Sequence, residues 1–308
     1  MGAYIARRIL QMIPVVLGAT FLIYSMVWYL PSDPFAGRCG DRPCPEAYVA
    51  LMREKFNLDD PLFVSYFKYF GDLLTGDFGE TFQGLQVRDE ILRAYPVTMK
   101  LALIAILIEI FIGIGAGVLA GLRRGKFIDN LVLVSTLVVI SIPVFVIGTT
   151  LQFWLGIKFP IFPPTVSSEA TWYSLLLPGF VLASLSLAYV ARLVRTSIGE
   201  NIRADYVRTA VAKGLPGRRV VGLHVMRNSL IPVITFIGAD FGALLGGAIV
   251  TEGIFNIAGV GGLAFRAIRT QEAMTVTGVV TVLILVFLIV NLLVDLLYGV
   301  LDPRIRHD

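Results

Sequence analysis

Six long apolar stretches, separated by polar segments bearing glycine or proline, organise the chain: residues 9–30, 97–121, 131–156, 175–194, 229–250 and 276–300. Each approaches or exceeds the roughly 20 apolar residues that a helix needs to cross the hydrocarbon of a bilayer. The pattern predicts an all-α membrane protein with six transmembrane helices. Arg7 and Arg8 precede the first stretch as they would precede a secretory leader. That stretch is too long for a leader and runs into Leu30-Pro31-Ser32-Asp33-Pro34 with no small-residue cleavage site, so a retained helix is expected. Pro14, Pro143 and Pro232 predict kinks or helix starts.

The polar segments differ in kind. Residues 31–96 form a large region after the first helix, long enough to hold short helices. Within it LQVRDEILRAYP (85–96) brings Leu85, Ile91 and Leu92 near one another on a helical face. It predicts a surface helix ending at Pro96, where the second span begins. Two spans repeat glycine every fourth residue: Gly113, Gly117 and Gly121 in the second, and Gly238, Gly242 and Gly246 in the fifth. Such ridges let two helix backbones approach closely in lipid, although glycine is also common in membrane helices for no such reason.

Composition excludes a soluble domain. The 308 residues are 56% hydrophobic and 16% charged, where a soluble domain carries about 25% charged residues. Basic residues orient the chain. The segments 1–8, 122–130, 192–228 and 302–308 carry 2, 3, 8 and 2 Lys/Arg; 157–174 and 251–275 carry 1 and 2. The long segment 31–96 holds 7 Lys/Arg against 11 Asp/Glu, but long loops are weakly constrained by the positive-inside bias. Both termini are therefore expected in the cytoplasm. The net charge of +4 reflects that topology and implies no nucleic-acid partner. The only cysteines, Cys39 and Cys44, fall in the long outer region, where an oxidising exterior favours a disulfide. Zinc is disfavoured because His224 and His307 both fall on the inner side.

One charged segment stands between two apolar ones: ADYVRTAVAKGLPGRRVVGLHVMRNSLIP, residues 204–232. Asp205 is suited to an N-cap, and Tyr206, Val207, Ala210 and Val211 recur at helical spacing. Lys213-Gly214-Leu215-Pro216 then reads as a C-terminal stop. The result is a helix of about eight residues, roughly 12 Å long, too short to span a bilayer and marginal alone in water. It must dock on something. Either lipid headgroups hold an ordinary basic loop, or the helix seats a cytoplasmic partner.

The residues that decide are 208–214. Arg208-Thr209-Ala210-Val211-Ala212-Lys213-Gly214 resembles the EAA motif of ABC importer membrane subunits, and DYVRTAVAKGL followed by HVMRNSLIP is similar to its form in B-type permeases of dipeptide and oligopeptide importers. Arg208 replaces the usual first Glu, and the stretch from His224 to Arg227, with Pro232 further on, replaces the family-wide I-x-L-P ending, both as in the peptide branch. The resemblance covers nearly the whole chain. It includes Arg7, Arg8 and Leu30 to Pro34, Gly76-Asp77-Phe78-Gly79, Ser141 to Phe145, Tyr189 to Arg192, Thr251-Glu252-Gly253-Ile254-Phe255, and Tyr298 with Asp302-Pro303-Arg304. Ala258 departs from it, standing where a Pro is usual before Gly259.

The resemblance implies a type I ABC importer permease fold. Residues 1–96 would hold the first helix and outer loop, 97–302 a five-helix core with the coupling helix near 205–214, and 303–308 a tail. It implies one half of a two-subunit pore, paired with a homologous permease, fed peptides by an extracytoplasmic substrate-binding protein and driven by cytoplasmic ATPases that hold ATP and Mg. Asp205, Tyr206, Arg208, Thr209, Ala210, Lys213 and Gly214 would couple to the ATPase, while Glu252, Phe255, Asn256, Arg266 and Arg269 would contact the binding protein or simply build the loop. The chain holds no phosphate-binding loop of its own, since Gly125-Lys126 is followed by Phe127. No cofactor and no metal are expected in it.

Carboxylates inside spans remain. Glu109, Asp240 and Asp295 each sit within an apolar stretch, where a central Asp costs about 2.5 to 3.5 kcal/mol, so they should face protein or water. Asp240 falls about 200° around the helix from Gly238, opposite the glycine ridge. If the ridge packs within the subunit, Asp240 faces the cavity or the second permease. It either attracts the ammonium group of a passing peptide or is a hydrogen-bonded structural carboxyl. Asn291 and Asp295 read as a local helical pair. An ion-coupled secondary transporter using Glu109 and Asp240 is the competing function; its internal repeats and matching broken helices are not visible in the sequence. For a membrane enzyme no metal-ligand cluster or Ser-His-Asp order stands out.

Overall fold

A computed structural model describes residues 2–28, 44–55, 59–81 and 83–301. Among them the chain is helical, with one isolated bridge between Glu80 and Gln86 and no strand. In order, the helices are α1 (Gly2–Trp28), α2 (Glu46–Lys55), α3 (Leu62–Thr75), α4 (Val87–Leu122), α5 (Phe127–Ser141), α6 (Val144–Lys158) and α7 (Leu176–Asn201). There follow α8 (Asp205–Ala212), α9 (Gly217–Ser229), α10 (Ile231–Gly247), α11 (Ile249–Ile254), α12 (Val260–Arg269) and α13 (Ala273–Leu301). Among the described residues four helices, α1, α4, α7 and α13, are long and apolar enough to cross a membrane unbroken; counting the bent pairs α5–α6 and α9–α10 as one span each raises this to six.

Two expectations about helix bounds change. No surface helix ends at Pro96: α4 runs as one helix through Pro96 and across residue 97. A proline inside a helix costs about 3 kcal/mol, but both flanks of α4 are anchored in separate cores. Val87, Ile91 and Ala94 pack with Val260, Leu263 and Val279, and Leu101 and Ile104 pack with Leu177, Val181 and Phe255. The stretch at 131–156 is not straight: α5 and α6 meet at 101°. Ile142 is extended, as the residue before a proline prefers, and Pro143 caps the start of α6. Before the fifth stretch, α9 meets α10 at 45°, with Pro232 in the first turn of α10. Pro14 lies inside α1.

The scaffold is the pair α4 and α7. Of the unbroken spans, 61% of the apolar stretch of α7 lies inside the protein, against 11% for α1. The ridge of Gly113, Gly117 and Gly121 lies directly on α7: a Cβ at Gly117 would stand 2.6 Å from both the Ala191 carbonyl oxygen and the Val194 Cβ, and one at Gly121 2.9 Å from the Ile198 Cβ. Between apolar helices in lipid, attraction comes from van der Waals contact, and only glycine allows this approach. Gly242 of the second ridge packs against Phe287, Val290 and Asn291 of α13.

Gly117→Ala should therefore overpack α4 against α7, at a cost of about 1 to 3 kcal/mol. Gly115→Ala, where nothing lies within 4 Å of the added methyl, should not lower stability. Thermal unfolding of the two variants in one detergent checks the contrast, and equal loss in both would remove the ridge from its role.

Candidate functional site

Helix α8 forms where expected, with one local correction. Asp205 is not the N-cap; the extended residue Ala204 takes that place and Asp205 opens the first turn, where its charge suits the positive helix end. Asp205 faces Arg208 across 3.4 Å, both exposed. At the other end Gly214 adopts φ +74°, a left-handed conformation cheap only for glycine. Its N–H donates to the Val211 carbonyl at 2.9 Å, and the Leu215 N–H to the Ala210 carbonyl at 3.3 Å. This paired closure ends the helix.

The helix docks first on its own chain. Of the apolar positions only Val207 and Ala210 are buried, in a cluster with Val194 and Ile198 of α7, Val220 and Val225 of α9 and Val233 of α10. Tyr206 and Val211 stay exposed. The Tyr206 hydroxyl donates to Asn201 Oδ1, and Asn201 Nδ2 donates to the Ser197 carbonyl at 2.9 Å, so α8 is fastened to the last turns of α7. Asp205, Arg208, Thr209, Ala212, Lys213 and Gly214 face outward. The same end of α7 holds a second tie. Arg195 grips buried Asp129 through Nε–Oδ1 and, at 2.9 Å, Nη2–Oδ2, while the Gly125 N–H donates to Asp129 at 2.8 Å. The turn leading into α5 is thus clamped on the helix that carries α8.

Glu109 and Asp240 meet. Glu109 opens six residues, Glu109–Ile114, in which α4 winds as a π-helix, a distortion often found at functional positions. Its side chain is fully buried and faces Asp240 of α10, beside Ser186 of α7. Both Glu109 oxygens and Asp240 Oδ2 are shut from solvent without a well-formed hydrogen bond. Asp240 is half-buried and turns Oδ2 into the protein, toward Glu109. The side chain of Asp295 lies outside the described residues, so the proposed pair with Asn291 is not described.

The residues expected on the binding-protein face divide. Glu252 and Phe255 are fully buried and cannot present side chains to a docked protein. Glu252 reaches from α11 to the start of α12: its Oε2 accepts from the Gly262 N–H at 2.7 Å and its Oε1 from the Thr98 hydroxyl at 2.8 Å. Thr98 Oγ1 in turn accepts from the Val260 N–H at 2.8 Å. Two first-turn amides of α12 are so satisfied by a carboxylate and a hydroxyl brought from elsewhere. Burial raises the Glu252 carboxyl to about 7, against the lowering effect of these hydrogen bonds and of Arg266 nearby. Asn256, Arg266 and Arg269 remain exposed and line an open cleft of about 350 Å³ with Gly253, Phe265 and Thr270. Among the described residues neither arginine forms an ion pair. Cys39 lies outside the described residues, and no described cysteine is free.

Sequence reasoning passed over Thr98, Asp129, Ser186, Arg195 and Asn201. Their roles come from partners distant in sequence. The one local signal was the run Gly259-Val260-Gly261-Gly262, whose missing side chains leave room for Glu252 and for the α11 backbone.

Comparison with known proteins agrees with this architecture. Residues 113–307 match the family described as binding-protein-dependent transport system inner membrane component, and residues 1–102 match the N-terminal region of such membrane components. The chain is 36% identical to the di/tripeptide transport system permease protein DppB of Pseudomonas aeruginosa, covering 100% of this chain and 99% of that one. It is 34% identical to the dipeptide transport system permease protein DppB of Alkalihalophilus pseudofirmus, over 100% of each. To that of Bacillus subtilis it is 34% identical, over 99% and 98%.

The Glu252 knot predicts a pH dependence of stability. Its folded pKa, about 7, lies above the ordinary carboxyl value of 4.5, so the stability it contributes is fully present below about 4.5 and is lost as pH rises through about 7. The total change is roughly 3 kcal/mol. Thermal unfolding between pH 4 and 8 should show that slope in the natural chain and a flatter one in Glu252→Gln; equal slopes would contradict it.

Proposed function

The chain belongs to the family of inner-membrane components of binding-protein-dependent transport systems, in the branch of dipeptide ABC importer permeases, and from that premise we propose that it forms one half of the pore of an ATP-driven peptide importer. It is a multi-pass membrane protein. Its cargo is di- to oligopeptides handed over by an extracytoplasmic binding protein, and a second, homologous permease completes the path. ATP and Mg belong to cytoplasmic ATPase partners. The termini and α8 lie on the cytoplasmic side, where the Lys/Arg excess is held.

One observation carries this reading: α8 is rooted on one side and free on the other. Its buried edge and the Tyr206–Asn201 bond tie it to α7, and the cluster around Val207 ties it to α9 and α10. A push on its free face by a closing ATPase is conveyed as rigid-body movement, because packed helices shift as units and do not deform continuously. Asp129 and Arg195 extend the same connection to α5. On the opposite side of the membrane, the Arg266–Arg269 cleft offers an acidic segment of the binding protein two exposed guanidinium groups, and a Cys39–Cys44 disulfide stiffens the outer loop. Asp240 is the group of the path that attracts a peptide ammonium, once movement of α10 draws it from Glu109.

The complete complex in proteoliposomes tests the lever. Arg208→Glu combined with Lys213→Glu should weaken association with the ATPase at least tenfold, about 1.4 kcal/mol or more, and depress uptake while the permease stays folded. Full uptake by that variant would refute the lever. Uptake that survives an inactive ATPase but stops when the proton gradient is collapsed would instead support an ion-coupled carrier. In the same assay Asp240→Asn should reduce uptake of cationic more than of neutral peptides; unchanged uptake of both removes Asp240 from the path.

A further inference from the structure

Helix α3 has three differently made faces. At 100° per residue, Phe67 and Leu74 fall within about 40° of Phe63, Lys68 and Asp72 about 140° and 180° away, and Tyr69 and Tyr66 at about 240° and 300°. The tyrosine face is on the protein. Tyr66 is 4% exposed; its hydroxyl donates to the Leu17 carbonyl at 3.0 Å and meets Thr20 Oγ1 at 2.9 Å, and the Tyr69 hydroxyl meets Thr281 Oγ1 of α13 at 3.2 Å. The other two faces are open, and they are segregated. Phe63, Phe67 and Leu74 are 64%, 65% and 76% exposed, while Lys68, paired with Asp60, and Asp72 lie on the other exposed side.

We propose that α3 lies along the membrane–water boundary with Phe63, Phe67 and Leu74 immersed among lipid acyl chains. Two independent features single out lipid. First, the apolar face continues the free apolar surface of α1: Phe63 stacks on Phe21 with ring centres 5.5 Å apart, beside exposed Leu22 and Met26. Second, Tyr66 anchors at Leu17 and Thr20, inside the apolar stretch Arg7–Met26 and not at its polar end, so the tyrosine side of α3 reaches into the spanning part of α1. A helix with an apolar face toward the acyl chains and charges toward water binds in the plane of the interface by burying apolar area. Lys68 and Asp72 keep their charges out of the hydrocarbon, and the tyrosine hydroxyls, which would be costly there, are bonded to the two spans. The helix thus lies on α1, reaches α13 through Tyr69, and widens the contact of the subunit with lipid.

The test uses the full chain, assembled with its complex, in nanodiscs of phosphatidylcholine and phosphatidylglycerol. Nitroxide labels go at Phe63→Cys, Phe67→Cys and Leu74→Cys, with Lys68→Cys and Asp72→Cys for contrast; the unsubstituted chain, with Cys39 and Cys44, is the blank. Labels at 63, 67 and 74 should collide more with oxygen than with a water-soluble nickel chelate, and labels at 68 and 72 should show the reverse. Access of the nickel chelate to all three apolar positions would put them in water. Exclusion of both reagents would mean that a protein, such as the second permease, covers them. Either result overturns the proposal. Quenching of Phe67→Trp fluorescence by brominated lipid, with the natural tryptophans as background, gives the same reading without cysteine, and absence of added quenching also overturns it.

Discussion

The contact of α4 with α7, glycine against backbone, is the constraint on which the other features rest. In lipid two apolar helices gain little from leaving their surroundings, so their association depends on how closely they approach. Gly113, Gly117 and Gly121 bring α4 onto the Val190, Ala191, Val194 and Ile198 side of α7, with no room for a methyl group at Gly117 or Gly121 and a tight fit at Gly113. Gly179 completes the contact from α7, against Ile104. Once that pair is set, α4 carries Thr98 to the start of α12 and Glu109 to α10. The far end of α7 carries Arg195, Ser197 and Asn201 to the places where they hold α5 and α8.

Polar groups inside this apolar frame follow one rule. Buried polar atoms are expensive unless bonded, and here several of them bond between elements. Gln152 donates to the carbonyls of Pro164 and Ile254; Thr98 and Glu252 satisfy the first amides of α12; Asp129 and Arg195 close the turn before α5. Each bond joins segments that apolar packing alone would leave free to slide. Besides the buried Ser229 hydroxyl, Glu109 and Asp240 break the rule, since the fully buried carboxyl of Glu109 faces another carboxyl without well-formed bonds. An arrangement so costly in hydrocarbon stands out against the satisfied groups around it, and it sits where α4 loses its regular winding.

The short helix α8 illustrates how a charged segment is kept at the edge of such a frame. Eight residues cannot hold a helix in water, so its order comes from Val207 and Ala210 in the valine-rich cluster, from the Tyr206 bond and from closure at Gly214. All three lie on its ends or its buried edge. The remaining face, with Asp205, Arg208, Thr209, Ala212 and Lys213, stays exposed.

Much of this was legible in the sequence, for a physical reason: what depends on neighbours three or four residues away is written locally. The apolar stretches, the glycine ridge of the second span, the helix starts at Pro143 and Pro232, and the stop at Lys213-Gly214-Leu215-Pro216 belong to that class. Tertiary structure alone decided the rest. Pro96 ends no helix because two cores hold α4 on either side of it. Glu252 and Phe255 read as loop residues but are interior, since Thr98 and the α12 amides come to meet Glu252 from distant positions. Asp240 faces Glu109 because α10 packs on α4 and α7, which helical spacing within α10 could not reveal. Periodicity says which face of a helix is apolar; only assembly says which helix that face will meet.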